Sequence, residues 1–395
     1  MIGLLTSLNS NDHVKLGGCG LTRIIFFLQK LTAQLLLFIF LMATGMMTAC
    51  AKEDSHTNKQ SLLTKVVTAK QDIEKNYLHY NFKKDYKTAY QFTLMLPKTW
   101  KVDPNVTAQY PSNNNLKLLA RVTESQKAQS AEVTVQSILL TNEIHPTDWL
   151  LHWLKSQQYH VLDFRSLPTQ YGNIGDFLVS NKKKNQLSRL ITIKDGNRIF
   201  LLIASTKVET YKQYEESFLL AIQSFQLINP LKELYAEPFR QEHIKKPYEV
   251  ALRYPSSWEH RIEPKETKAV RSFSLINKKA GVILGHINIV ILSDSLKLKA
   301  DDALQTWVGK LKANKIQPEK ATSAIKTKQL KDKKISTWQS NATRDEASLV
   351  LRSTIIEHKK GILMISLVSP SKARNHNAWA VNQRIYEILV NTATY

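Results

Sequence analysis

One eleven-residue pattern occurs twice, and it constrains the fold more than any other feature of the chain. Tyr90-Gln-Phe-Thr-Leu-Met-Leu-Pro97-Lys-Thr-Trp100 returns as Tyr248-Glu-Val-Ala-Leu-Arg-Tyr-Pro255-Ser-Ser-Trp258, with Tyr, Leu, Pro and Trp matched at an offset of 158 residues. Further along, Asp148 and Trp153 are echoed by Asp302 and Trp307 at an offset of 154. Each half then shows a turn before an apolar run: Asp195-Gly196-Asn197 before residues 199–204, and Lys359-Lys360-Gly361 before residues 362–368. Each closes on a helix-like segment, 207–225 and 371–390. Four features in one order describe a tandem duplication. At 395 residues the chain is long enough to bury two cores.

Within a unit, Tyr90, Phe92, Leu94 and Leu96 alternate with more polar neighbours, which predicts a half-buried strand. Pro97 cannot donate to a ladder and ends it. Trp100 then folds back as an apolar plug, and truncating such a ring costs about 3–5 kcal/mol. Residues 132–139 alternate in the same way. Residues 146–155 read as a helix with Asp148 near its N-terminus, where a carboxylate answers unpaired amides. Residues 177–179, 188–193 and 199–205 read as consecutive antiparallel strands before the closing helix. The second half repeats the order with strands at 273–276, 283–292, 334–340, 348–357 and 361–368 and a helix at 301–311. Residues 51–60 are polar and read as a tether, followed by a short amphipathic helix from Ser61.

Strands with two helices per unit predict an α+β class, with an antiparallel sheet covered by helices. The opening resembles that of the PsbP-like superfamily, which includes DcrB-like envelope proteins. The matching positions are Phe92, Pro97 and Trp100, then Val250, Pro255 and Trp258. The resemblance implies two tandem α/β/α sandwich units, at 85–229 and 243–395, with that strand, Pro and Trp in each core. It leaves 1–49 as a signal peptide, 50–84 as tether and short helix, and 230–242 as a linker stiffened by Pro230 and Pro238. The family's roles are accessory, adaptor or chaperone-like, and fold alone does not fix function.

The leader carries the sharpest local signal. Residues 31–48 hold no charge, and Lys15, Arg23 and Lys30 precede them against Asp12 alone, the pattern of a secretory signal peptide. The segment ends Met47-Thr48-Ala49-Cys50, which resembles a bacterial lipobox. The resemblance implies cleavage between Ala49 and Cys50 and attachment of a diacylglycerol to the Cys50 thiol. Met47 stands where Leu is usual. Ala51 replaces the Asp that signals inner-membrane retention, so the resemblance implies the periplasmic face of the outer membrane. An ordinary cleaved leader or a single anchor helix is the alternative. Leu16-Gly17-Gly18-Cys19 matches locally but has no apolar core before it. Cleavage would leave 346 residues carrying +20, from +22 for the whole chain, and no free thiol. That suits an oxidising compartment and removes thiol chemistry.

Catalytic motifs are not evident: there is no G-x-S-x-G, H-E-x-x-H, Walker loop or G-x-G-x-x-G. His145, His152 and His160 are spaced by seven and eight, whereas paired ligands on a helix need i, i+3 or i+4. Asp301-Asp302 reads as a helix opening and Asp345-Glu346 as a hairpin turn. No catalytic residue, metal or cofactor is expected. Lysine runs at 182–184, 245–246, 278–279 and 331–334 fall at predicted loops. A positive surface attracts polyanions, and beside a membrane each Lys or Arg is worth about 1 kcal/mol. Anionic lipid, lipopolysaccharide or an envelope protein partner is expected, and nucleic acid is not. The expected function is a lipid-anchored, non-enzymatic binding, adaptor or assembly accessory. The alternatives are an enzyme with its site between the units, or a carrier of a lipid or other apolar ligand.

Overall fold

The matched pattern forms a strand with one buried face in each half but does not open it: a strand at Tyr77–Phe82, inside the stretch expected as tether and short helix (50–84), and one at Phe239–Ile244, reaching into the expected linker (230–242), precede it and pair with it. The structure, a computed structural model, describes residues 62–63, 70–83, 87–106, 111, 115–124, 131–169, 171–262, 267–319, 324–329 and 332–395. After a short exposed helix α1 (Lys70–Asn76), the chain forms β1 (Tyr77–Phe82) and β2 (Phe92–Pro97). Phe92, Leu94 and Leu96 are fully buried while Thr93 and Met95 are half-exposed. Pro97 ends the strand, and Trp100 begins β3 (Trp100–Val102) with its ring buried edge-on to Phe218 at 6.2 Å.

The first half continues through β4 (Lys117–Glu124), β5 (Glu132–Leu139), α2 (Pro146–Ser156), β6 (His160–Thr169), β7 (Gly172–Asn181), β8 (Gln186–Asp195), β9 (Arg198–Lys207), α3 (Tyr211–Ser224) and β10 (Gln226–Leu227). Its larger sheet has seven antiparallel strands in the order β3-β4-β5-β9-β8-β7-β6, and β1-β2-β10 form a smaller sheet. The second half runs β11 (Phe239–Ile244), β12 (Val250–Pro255), β13 (Glu259–Ile262), β14 (Val270–Lys279), β15 (Val282–Ser293), α4 (Ala300–Ala313), β16 (Gln317–Pro318), β17 (Ala324–Gln329), β18 (Lys333–Arg344), β19 (Ala347–His358), β20 (Gly361–Pro370) and α5 (His376–Thr392). Its larger sheet reads β13-β14-β15-β20-β19-β18-β16, with β17 also paired to β18. Both sheets thus reach their far edge through one helix, α2 or α4, and close on a C-terminal helix, α3 or α5.

The helices begin where local chemistry answers their free amides. Pro146 occupies the first turn of α2, and His145 Nδ1 accepts the Thr147 N–H at 3.3 Å. On α4 the Asp302 carboxylate reaches back to the Lys299 N–H at 3.0 Å. On α5 Asn375 Oδ1 accepts from Ala378 N at 3.1 Å.

The faces these elements bury define the layers. One face of the first sheet (Val133, Val135, Phe200, Leu202) packs with β2 against Phe218 and Ile222 of α3. Its other face (Leu190, Leu201, Ile203) packs under Trp149, Leu150 and Leu154 of α2. The same cluster runs on through Ile385, Tyr386 and Leu389 of α5 to Ile289 and Ile365 of the second sheet. Leu304, Trp307 and Leu311 of α4 cover that sheet's remaining face, against Trp338 and Leu351. The contacts therefore run α3, first sheet, α2 with α5, second sheet, α4. The cores of the two halves are continuous rather than separate. Burying side chains such as Leu150 or Leu389 contributes about 1.5–3 kcal/mol each.

A polar knot ties the linker into this seam. Glu143 is fully buried and accepts from Ala236 N (2.7 Å), Lys194 Nζ (3.1 Å) and Arg384 Nε (3.1 Å). Its own N–H donates to Glu237 at 2.8 Å, and Ser257 Oγ donates to the other Glu237 oxygen. Lys194 Nζ also reaches Leu234 O at 2.9 Å, so the stretch between the prolines is laced to the first half.

The leader, with Ala49 and Cys50, lies outside the described residues, as do residues 64–69 of the expected helix from Ser61. Among the described residues no helix is long and apolar enough to cross a membrane.

Candidate binding grooves

Trp153 on α2 and Trp307 on α4 stand five residues after Asp148 and Asp302. Each lines a groove between the C-terminal part of its helix and the face of its sheet. In both halves a turn of the sheet closes one end: Lys183 and Lys184 from the β7–β8 turn, Arg344 and Asp345 from the β18–β19 turn.

The two grooves differ in chemistry. The first, about 560 Å³, is lined by Gln136, Gln157, Tyr159 and the two lysines, and Lys183 Nζ donates to Gln158 Oε1 at 2.6 Å. Trp153 is stacked between Trp149 and Tyr159, at 6.5 and 5.7 Å. The second, about 790 Å³, has Trp307, Leu311, Ile316, Leu349 and Val368 as its apolar lining. There Trp307 meets Trp338 edge-on at 5.6 Å. Lys310, Arg344 and Arg374 also line it, against Asp345. Helix α2 is sandwiched by α5, whereas among the described residues no further helix covers α4. A pocket of this volume with an apolar lining and a few polar groups suits a small molecule.

A third, smaller pocket of about 270 Å³ opens at the seam of the halves, lined by His145, Asp148, Arg352, Trp379, Gln383, Arg384 and Glu387. Burial lowers the His145 pKa, opposed by Asp148, and raises that of Asp148, opposed by His145. Gln383 Oε1 accepts from Arg352 at 2.6 Å, while its Nε2 is buried without an acceptor among the described residues. Nearby, burial with Lys372, His152 and Lys155 pushes His376 down to about 4. His376 lies edge-on to His152 at 5.5 Å.

The histidines singled out by spacing scatter. His145 caps α2, His152 faces α5, and His160 is exposed on β6. Among the described residues no three His, Cys, Asp or Glu side chains gather as a metal site would require. Asp301 and Asp302 lie in the first turn of α4, and Asp345-Glu346 form the β18–β19 turn with φ of 47° and 64°. The lysines at 182–184 lie in the β7–β8 turn and Lys278-Lys279 end β14. The cluster of Asp176 with Arg189 (2.9 and 2.6 Å) and Arg165 (2.8 Å) was not apparent from sequence. Its carboxylate is saturated by guanidinium donors, so it is scaffold. Arg344, Arg374, Leu349 and Val368 were missed as groove residues; the repeated Trp153/Trp307 position showed only the duplication.

No protein-family model matches the chain, and no curated protein matches it. Among solved structures, the solution structure of cyanobacterial PsbP (CyanoP) from Synechocystis sp. PCC 6803 is similar at 9% identity and a TM-score of 0.29, covering 38% of this chain and 92% of that one. The immunity protein TplEi of T6SS from Pseudomonas aeruginosa, complexed with "L" peptide, is similar at 10% identity and a TM-score of 0.22, covering 76% and 94%. These are weak likenesses of fold.

Proposed function

We propose that the chain is a lipid-anchored periplasmic protein, held at the outer membrane through Cys50, in which two PsbP-like units act as a non-enzymatic binding or assembly accessory. One observation carries the reading: a helix-to-sheet groove recurs in both halves, and the copy in the second half is the larger and more apolar of the two. A repeated concave site with diverged linings is what a binding scaffold needs, since it offers two surfaces of different specificity on one frame.

The test has two arms. Cys50→Ser is followed by cell fractionation; release from the membrane fraction is expected, and retention at unchanged size refutes the anchor. A photoreactive residue at Tyr159 or Leu349 is then used for crosslinking in cells. Adducts at these positions but not at exposed Lys297 are expected, and equal labelling at all three refutes the grooves as the binding surface.

The second reading, an enzyme with its site between the halves, draws on the seam pocket with His145, Asp148 and Arg384. Its cavity is small, Glu387 is paired with Arg352 at 3.5 Å, and Asp148 has His145 and Lys372 as its charged neighbours. Turnover of any envelope substrate that His145→Gln abolishes would establish it.

A further inference from the structure

We propose that the groove under α4 binds a long-chain fatty acid, with the alkyl chain along Trp307, Leu311, Leu349 and Val368 and the carboxylate at Arg344 and Arg374. The inference rests on the reading of this groove as a binding site and names its ligand.

Three observations converge. First, the lining is apolar and open to solvent, in a volume of about 790 Å³ that admits one extended or folded chain. Every methylene removed from water there adds to affinity. Second, the rim has more cationic charge than it can use internally. Lys310 and Arg374 have no ion-pair partner among the described residues. Arg344 meets only its neighbour Asp345, at 3.7 Å, with both side chains exposed. A guanidinium presents a planar fork that matches a carboxylate, so an anion completes this rim. Third, an apolar ramp leads in. Ile283 lines the groove and is 61% exposed, and Val282 beside it is 60% exposed, at the tip of the β14–β15 hairpin next to Lys278 and Lys279. Exposed aliphatic residues flanked by lysines suit a chain arriving from an anionic lipid surface. The corresponding groove of the first half keeps Leu116, Trp153 and Ile203 but adds Gln136, Gln157, Gln158, Lys183 and Lys184, so it is the more polar and smaller of the two.

The experiment titrates full-length protein with bromine-substituted palmitate and follows tryptophan fluorescence. Saturable quenching is expected, and Trp307→Phe should reduce its amplitude. Arg344→Glu combined with Arg374→Glu, both at exposed positions, should weaken palmitate binding about tenfold or more, while the uncharged alcohol of equal chain length binds as before. Leu349→Glu should abolish both. A melting curve for each variant verifies folding, and the surface arginine pair keeps the test valid if Leu349→Glu does not fold. No quenching, quenching unaltered by the arginine pair, or binding of lysophosphatidylglycerol without palmitate overturns the assignment. In each of those cases a Leu349 crosslink to a protein partner would still leave the broader binding reading standing.

Discussion

Glu143→Ala tests whether the two halves behave as one folding unit. The carboxylate is fully buried and takes three donors, one from each half and one from the linker between them. Its loss leaves the Ala236 N–H unanswered and strands Lys194, whose side chain is 11% exposed. Breaking a buried pair by removing one partner costs about 3–5 kcal/mol. Two features reduce that here: Lys194 keeps its bond to Leu234 O, and Arg384 is partly exposed and can reach water. A loss of about 2–4 kcal/mol in urea unfolding is therefore expected. Tryptophan fluorescence and far-ultraviolet dichroism should coincide in the parent protein and separate in the variant, because the seam loosens before either sheet melts. Glu143→Leu with Lys194→Met should recover most of the loss. Asp294→Asn serves as the contrast, since its 2.7 Å pair with Lys297 is exposed on both sides and should be worth less than about 0.5 kcal/mol. A Glu143→Ala variant within 0.5 kcal/mol of the parent, with coincident transitions, would refute the reasoning.

Gly285→Ala should cost about 2–4 kcal/mol, measured the same way, because a Cβ there would lie 2.4 Å from the buried Asn382 side chain. Asn382 cannot yield cheaply, being tied to Leu284 O, Ser369 and Asn277, and Asn382→Ala in the same chain should recover part of the loss. Acidification should weaken the seam. His376 is lowered from 6.5 to about 4, so the unfolded chain takes up its proton first. The stability is complete above pH 6.5 and is lost as pH falls toward 4, and His376→Gln should flatten that slope; identical slopes in both proteins would overturn this. Trp258→Phe should be milder than Trp258→Ala by at least about 2 kcal/mol in chemical unfolding. Its Nε1 is buried without an acceptor among the described residues, so only ring volume is at stake.

The repeated pattern was the most legible part of the chain, because Phe92, Leu94 and Leu96 obey a period of two that only burial on one face explains. The turns were legible where glycine or a charged pair punctuates them, as at Asp195-Gly196 and Asp345-Glu346. Edge strands were not. In β1 only Phe82 is buried, and in β6 Val161, Leu162 and Phe164 are all exposed, so neither shows the alternation that reveals a strand. The candidate grooves were not legible as such. The matched Trp153 and Trp307 showed only the duplication, because a groove depends on which residues from distant strands and turns meet the helix. The seam was hidden for a similar reason, since His145 and Arg384 meet across most of the chain's length.

The layer order gives the corresponding helices unequal freedom. Helix α2 is pressed from both sides, so most changes on its surface disturb a neighbour. Among the described residues helix α4 packs chiefly on its own sheet, and its outer surface and the adjoining turn can change without repacking the other half. Such a frame separates duties between its copies: one half holds the body together, and the other is at liberty to acquire a specificity.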